Sequence, residues 1–353
     1  MTDAARPADI AEAAARRSKL LGIKLQALVS EHAGADVRGE PGTFPHGSAL
    51  LFDDAAWVLI DGAADRSLGG ALAWARRHGA ASLQLVADAD TGLLARRAER
   101  LRFPVSVWFA QDRTLFPAVA EPLASPPEPP GEHLAFLAVI ADAGATPNVE
   151  HGVVFGEVRG LEVCRVVDEP TIGHIVELGD VGLAEAPTVP AATGVLLEVG
   201  VGANDREAFR MLHGDIPTVE ALATVVDSVA AVRSTDAPQH PLNRLGQERF
   251  LRWRLEQDPS LVDVAPVQPA QPPIPRPNLK DPVPCVATAR THDDRTLTVV
   301  CSVGVDLDLV GFVADVQIAG GGPVVVALRR RDVVPITEEL LGLLDTPVEI
   351  HPV

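Results

Sequence analysis

The sequence predicts an α/β protein of three segments, the first and third being duplicated strand-helix-strand-helix-strand units around a mixed-sheet middle segment. Three observations predict it. Hydrophobic residues make up 47% of the 353, enough for more than one core. Two proline-rich stretches interrupt the chain at 116–131 and 262–284, where proline removes amide donors and restricts the residue before it, so neither helix nor central strand continues. The flanking segments repeat one order of signals. The organisation expected is an N-terminal α/β unit with a leading helix (1–115), a linker (116–131), an acidic middle segment (132–261), a second linker (262–284) and a C-terminal α/β unit (285–353).

In the first segment, FDDAAWVLID reads as a turn and an apolar strand, and LGGALAWARRHG has helical spacing. SLQLVA then reads as a strand, TGLLARRAERL as a helix and FPVSVWFA as a strand. HDDRTLTVVCS, VDLDLVGFVADVQIA, PVVVAL, PITEELLGLL and TPVEIHPV give the same succession in the third segment. Asp53 precedes Val105 by 52 residues and Asp293 precedes Val348 by 55, a shared spacing that predicts an internal repeat with matching strand orders. In the middle segment HLAFLAVIADAG reads as a helix, HGVVFGEVRGLEVCRVV as two strands around Arg159-Gly160, and VLLEVGVG as a strand. Two helices follow, TVEALATVVDSVAAV and PLNRLGQERFLRWRLEQ, the second opening at Pro241.

The net charge of −18 is uneven: residues 131–261 carry 20 acidic and 9 basic groups. Such a surface repels phosphate backbones and anionic lipid, which disfavours broad nucleic-acid binding. Cys164, Cys285 and Cys301 lie far apart, in neither zinc-knuckle nor disulfide spacing, and read as small buried side chains. The N-terminal stretch has no continuous apolar run and no segment reaches the length of a membrane span, so a cytoplasmic protein without membrane contact is expected.

VLLEVGVGANDREAF tests two chemistries. A dinucleotide loop needs GxGxxG after a strand, but here Gly200-Val201-Gly202-Ala203-Asn204-Asp205 puts an aspartate at the third glycine, facing any phosphate. The glycines read instead as a tight exit from a strand. The acidic residues are the stronger candidates. If Arg159-Gly160 is a two-residue hairpin turn, Glu157 falls opposite Glu162, and opposed carboxylates require solvent, a proton or a cation between them. With Glu150, His151 and Glu198 nearby, Glu157 and Glu162 form a candidate ligand set for Mg²⁺ or Mn²⁺, and Glu157, Glu162 and Glu198 are the candidate catalytic groups.

The competing expectation is that these glutamates line the wet face of a half-exposed sheet. In either case repulsion predicts that Glu157→Gln is neutral or stabilising without metal. The order of helix, strand pair, acidic strand and helix resembles the restriction-endonuclease-like fold, whose metal site joins acidic residues to an E-x-K strand motif. Here Glu198-Val199-Gly200 has glycine in the lysine position, and the segment contains no lysine.

No GxSxG, GxxxxGK or HExxH occurs. His46, His213 and His240 are isolated and read as loop or cap residues, and Arg76-Arg77, Arg96-Arg97 and Arg329-Arg330-Arg331 as solvated helix ends or faces. The leading functional expectation is a non-catalytic binding or assembly module, with a protein partner or self-association. The alternative is a divalent-metal-dependent hydrolase, nuclease-like, using the middle-segment carboxylates.

Overall fold

The computed structural model describes residues 7–39, 42–45, 47–168, 194–213, 218–235, 240–264, 266–276, 278–291 and 293–353. The protein is mixed α/β, and its chain divides into two units. One comprises Met1–Ser125, Pro259–Gln268 and Pro284–Val353, and the other Pro126–Asp258 and Pro269–Val283. The two outer segments therefore belong to one unit.

The first segment runs α1 (Pro7–Ala33), β1 (Gly42–Phe44), β2 (Gly47–Phe52), β3 (Ala55–Ile60), α2 (Leu68–Arg77), β4 (Ser82–Ala87), α3 (Thr91–Ala98), β5 (Val105–Gln111) and β6 (Thr114–Pro117). Its six strands lie side by side in chain order; β3, β4 and β5 are parallel and the other pairings antiparallel. Asp53 and Asp54 turn the β2–β3 hairpin at φ 47° and 60°, the left-handed pair that a two-residue turn requires. Leu25, Leu28 and Val29 of α1 pack with Leu50, Trp57, Leu59 and Val86 on one sheet face. Pro117, which lacks the ladder donor, sits on the edge strand.

The middle segment runs α4 (Gly131–Leu134), α5 (Phe136–Asp142), β7 (Thr146–Glu150), β8 (Val153–Val158), β9 (Leu161–Asp168), β10 (Val195–Val199), α6 (Ala203–His213), α7 (Thr218–Val232), a 3-10 turn (Pro241–Arg244) and α8 (Gln247–Gln257). Its sheet is ordered β10-β9-β8-β7, with each pairing antiparallel. Val158, Leu161 and Val163 share a core with Ile140 of α5 and with Leu222, Val226 and Val229 of α7.

Beyond β7, which the sequence reading left unassigned, two helices differ from it. The helix α6 was not expected, because its first turn coincides with the Gly200–Asp205 loop. Pro241 opens only a 3-10 turn, and α8 begins after Gly246, which lies at φ 49°. The break has a cause in Arg233, fully buried, which donates to the carbonyls of Arg159, Leu242, Leu245 and Gly246 and so requires those groups to turn inward. His240 accepts from the Leu242 amide as the cap of that turn, His46 lies outside the described residues, and His213 ends α6.

The third segment runs β11 (Gln268–Ala270), β12 (Cys285–Arg290), β13 (Thr296–Ser302), α9 (Leu309–Gly320), β14 (Val324–Leu328), α10 (Pro335–Leu341) and β15 (Glu349–Pro352). β12 and β13 are antiparallel, and β13, β14 and β15 parallel. The series β12-β13-β14-β15 thus has the strand order and directions of β2-β3-β4-β5. Between the halves, the Arg102 amide donates to the Leu343 carbonyl and the Asp345 amide to the Arg100 carbonyl, both at 2.8 Å, around the antiparallel bridge Leu101–Leu344. The exchange is reciprocal, each half giving one amide and one carbonyl.

Helix packing follows the same relation: α2 contacts α9 and α10, and α9 contacts α3. Arg76 of α2 pairs with Glu339 of α10 at the surface, while Arg96 and Arg97 of α3 pair with Asp315 of α9 in the interior. The halves differ in their cover. Among the described residues the second has no counterpart of α1; Val262, Val264 and Val267, from the 259–268 stretch of this unit, are buried instead. Cys164, Cys285 and Cys301 are buried and form no disulfide, and among the described residues no helix is long and apolar enough to cross a membrane.

Candidate functional site

β8 and β9 turn at Arg159 (φ 48°) and Gly160 (φ 73°), pairing Val158 with Leu161 and Glu157 with Glu162. Gly160 is required there, since a Cβ would lie 2.3 Å from the Arg249 carbonyl oxygen. The opposed carboxylates are not on a wet face: Glu157 is 3% and Glu162 2% exposed. The physical reason is α8, whose buried face carries Glu248, Arg249, Leu251, Arg252 and Leu255 and brings two guanidinium groups to the carboxylates.

Each carboxylate of the candidate set meets arginine. Glu157 Oε2 accepts from Asn148 Nδ2 at 3.0 Å and from Arg252 Nη2 at 2.5 Å, and its Oε1 lies 3.3 Å from Arg249 Nη1. Glu162 accepts from Arg165 Nε and Nη2 at 2.9 and 3.0 Å and from Arg206 Nη1 at 3.1 Å. Such forked pairs are the strong class of charge-assisted hydrogen bond. Glu150 is bound by Arg249, and Glu198 by Arg206 Nε at 3.3 Å. Arg206, not a lysine two residues along the strand, is the cation beside Glu198. His151 turns elsewhere: its Nε2 lies 3.0 Å from the Pro272 carbonyl, and its amide donates to the Gln271 side chain.

Burial and charge compete here. Burial alone would lower the pKa of the Arg249 guanidinium, but Glu157 and Glu150 outweigh it and hold the group charged. Burial raises the Glu256 carboxyl against the opposing pull of Arg252, and it pushes the Cys164 thiol up to about 12, leaving no thiolate for chemistry at neutral pH. Hydrogen bonding is incomplete: Arg249 Nε and Nη1 and Glu157 Oε1 have no hydrogen-bond partner. Arg249 lines a recess of about 70 Å³, which shares Glu162, Arg165, Asn278 and Leu279 with a cleft of about 930 Å³.

The cleft reaches the start of α6. There Gly200 (φ 136°) and Gly202 (φ 83°) make the strand exit, and Asp205 Oδ2 accepts from the Val201 amide at 2.6 Å. A side-chain carboxylate therefore closes the loop from the position at which a dinucleotide fold presents glycine.

The structure brings Glu150, Glu157, Glu162 and Glu198 together around guanidinium groups. Among the described residues no group of three or more His, Cys, Asp or Glu is placed to hold a metal ion. Arg165, Arg206, Arg249 and Arg252 were missed in the sequence reading. Part of the signal was present, since Arg165 lies directly across from Glu198 in the β9–β10 register, and Arg249 and Arg252 share the helical face of Leu251 and Leu255. No protein-family model matches the sequence, and searches of curated proteins and of solved structures found no significant match.

Proposed function

We propose that the protein is a non-catalytic binding or assembly module. The observation that supports this most directly is the occupation of the candidate carboxylates by arginine: Glu150, Glu157, Glu162 and Glu198 are engaged by Arg165, Arg206, Arg249 and Arg252. A general base needs a free lone pair near substrate, and a metal site needs several oxygen ligands directed at one point. In this cluster the oxygens are directed at fixed cations, and the geometry suits holding β8, β9, β10, α6 and α8 in register beside a cleft.

The alternative, a divalent-metal-dependent hydrolase, requires metal to displace guanidinium groups from at least two of these glutamates. Calorimetric titration of the full chain with Mn²⁺ and Mg²⁺, together with hydrolysis of bis(p-nitrophenyl) phosphate, separates the two. We expect neither stoichiometric binding nor turnover. One Mn²⁺ per chain, with turnover lost in Glu157→Gln and Glu162→Gln, would replace the module reading with the hydrolase.

A further inference from the structure

In the first unit, two exposed loops occupy the same place in the two halves, each following the middle of three parallel strands, and they carry opposite charge. After β4 come Asp88 and Asp90, both exposed. The Glu121 amide donates to the Gly92 carbonyl at 3.0 Å, which brings exposed Glu121 and Val119, the latter 84% exposed, beside the start of α3. After β14 come Arg330 and Arg331, also exposed, followed by the largely buried Asp332, whose carboxylate lies 3.8 Å from Arg331 Nε. The Gly304 amide donates to Asp332 Oδ2 at 2.8 Å, which brings Val305, 55% exposed, to that loop. One half thus presents an acidic patch with an apolar residue, and the other a basic patch with an apolar residue.

We propose that these patches are the two sides of a self-association interface, filled by a second copy of this chain. The inference rests on the assembly reading and names its partner. A two-fold dimer axis that lies in the contact face and crosses the line joining the two loops at right angles sets the acidic loop of each copy against the basic loop of the other, so both contacts form together. Overall repulsion between acidic chains is concentrated elsewhere, since residues 131–261 hold 20 acidic and 9 basic groups. The exposed valines add apolar area to each contact, and the charges fix partner and orientation. A homotypic contact of either patch with itself would place like charges together.

Sedimentation velocity of the full chain from about 1 to 200 µM, in about 50 and 500 mM NaCl, tests this, because exposed charge pairs are screened over that range. We expect a monomer–dimer equilibrium whose Kd rises at least about tenfold in high salt. Asp88→Arg/Asp90→Arg and Arg330→Asp/Arg331→Asp should each weaken dimerisation by about tenfold or more. An equimolar mixture of the two variants should recover it, because one copy then presents two basic patches and the other two acidic ones. Dimers that persist in both variants, or a mixture that stays monomeric, would overturn the proposal while leaving assembly through another surface in place. A wild-type chain monomeric at every concentration would overturn the proposal and leave a different protein as the partner of the module.

Discussion

In the first unit a single carboxylate serves two arginines, whereas in the second two opposed carboxylates are shared among four. Asp315, with no exposed surface, accepts from Arg96 Nε at 3.0 Å and Arg97 Nε at 2.8 Å, and both guanidinium groups also reach backbone carbonyls, those of Glu121 and Asp65. Glu157 and Glu162 have more cations than they need, and those cations have other anions, such as Glu150 and Glu256. The difference concerns redundancy. Breaking a buried pair is costly because the remaining charge is left without a counter-ion, so the cost falls as the remaining charges find alternatives.

The largest effect should therefore come from Asp315→Asn, which leaves two buried guanidinium groups facing a neutral amide. We expect the first unit to lose about 3–5 kcal/mol, measured by urea unfolding with hydrogen exchange at α3 and α9 amides. Glu157→Gln should destabilise the second unit by a smaller amount, about 2–3 kcal/mol, since Arg252 keeps Glu256 and Glu150. This reverses the sign expected from the sequence, where repulsion from Glu162 with no cation between the pair sets the expectation. Hydrogen exchange at β9 and α8 measures it, and an unchanged or raised stability would mean that the arginines do not hold the pair.

A third substitution should act in the opposite direction. Asp308 accepts from the Gly69 amide at 2.9 Å, but burial raises its pKa from 3.8 to about 6, with Asp306 also raising it and Arg66 and Arg97 opposing. A carboxyl with a raised pKa stabilises the fold while it is protonated, so the first unit should lose on the order of 2–3 kcal/mol as the pH rises from about 4 to above 6. Asp308→Asn keeps an acceptor for Gly69 and removes the buried charge. It should raise the melting temperature at pH 7 and flatten that pH dependence; a melting profile with the wild-type slope would show that Asp308 is not its source. The smallest effect belongs to Arg76→Ala. Its pair with Glu339 joins α2 to α10 as Asp315 joins α9 to α3, but both partners are more than 40% exposed, and we expect less than about 1 kcal/mol.

The α/β alternation was legible because the parallel strands of the outer segments and the helices between them carry their own local signals, as the antiparallel β1, β2, β6 and β12 do not: SLQLVA is a strand with the predicted bounds, and the Asp53-Asp54 turn lies where composition placed it. The opposition of Glu157 and Glu162 was legible for the same reason, since a two-residue turn at Arg159-Gly160 fixes register without reference to the rest of the chain. What covers that pair was not legible. Arg249 and Arg252 lie about ninety residues further on, in a helix whose charged face would ordinarily be read as solvated, and only tertiary packing brings it over the sheet. α6 was hidden differently, by a loop motif that overlapped its first turn.

The reciprocal bonds around Leu101 and Leu344 join residues 243 positions apart in the sequence. The first unit is thus split by the second, which sits within it as an insertion contained mainly in Pro126–Asp258. During synthesis the second unit has most of its contacts available before the third segment emerges. The first half of the other unit must wait, with the faces that α9 and α10 will cover still exposed. Long-range closure of this kind slows folding and lengthens the exposure of apolar surface. The chain should therefore fold in two stages, the inserted unit first, and the interval between them is when a nascent first half is most open to pairing with the wrong copy.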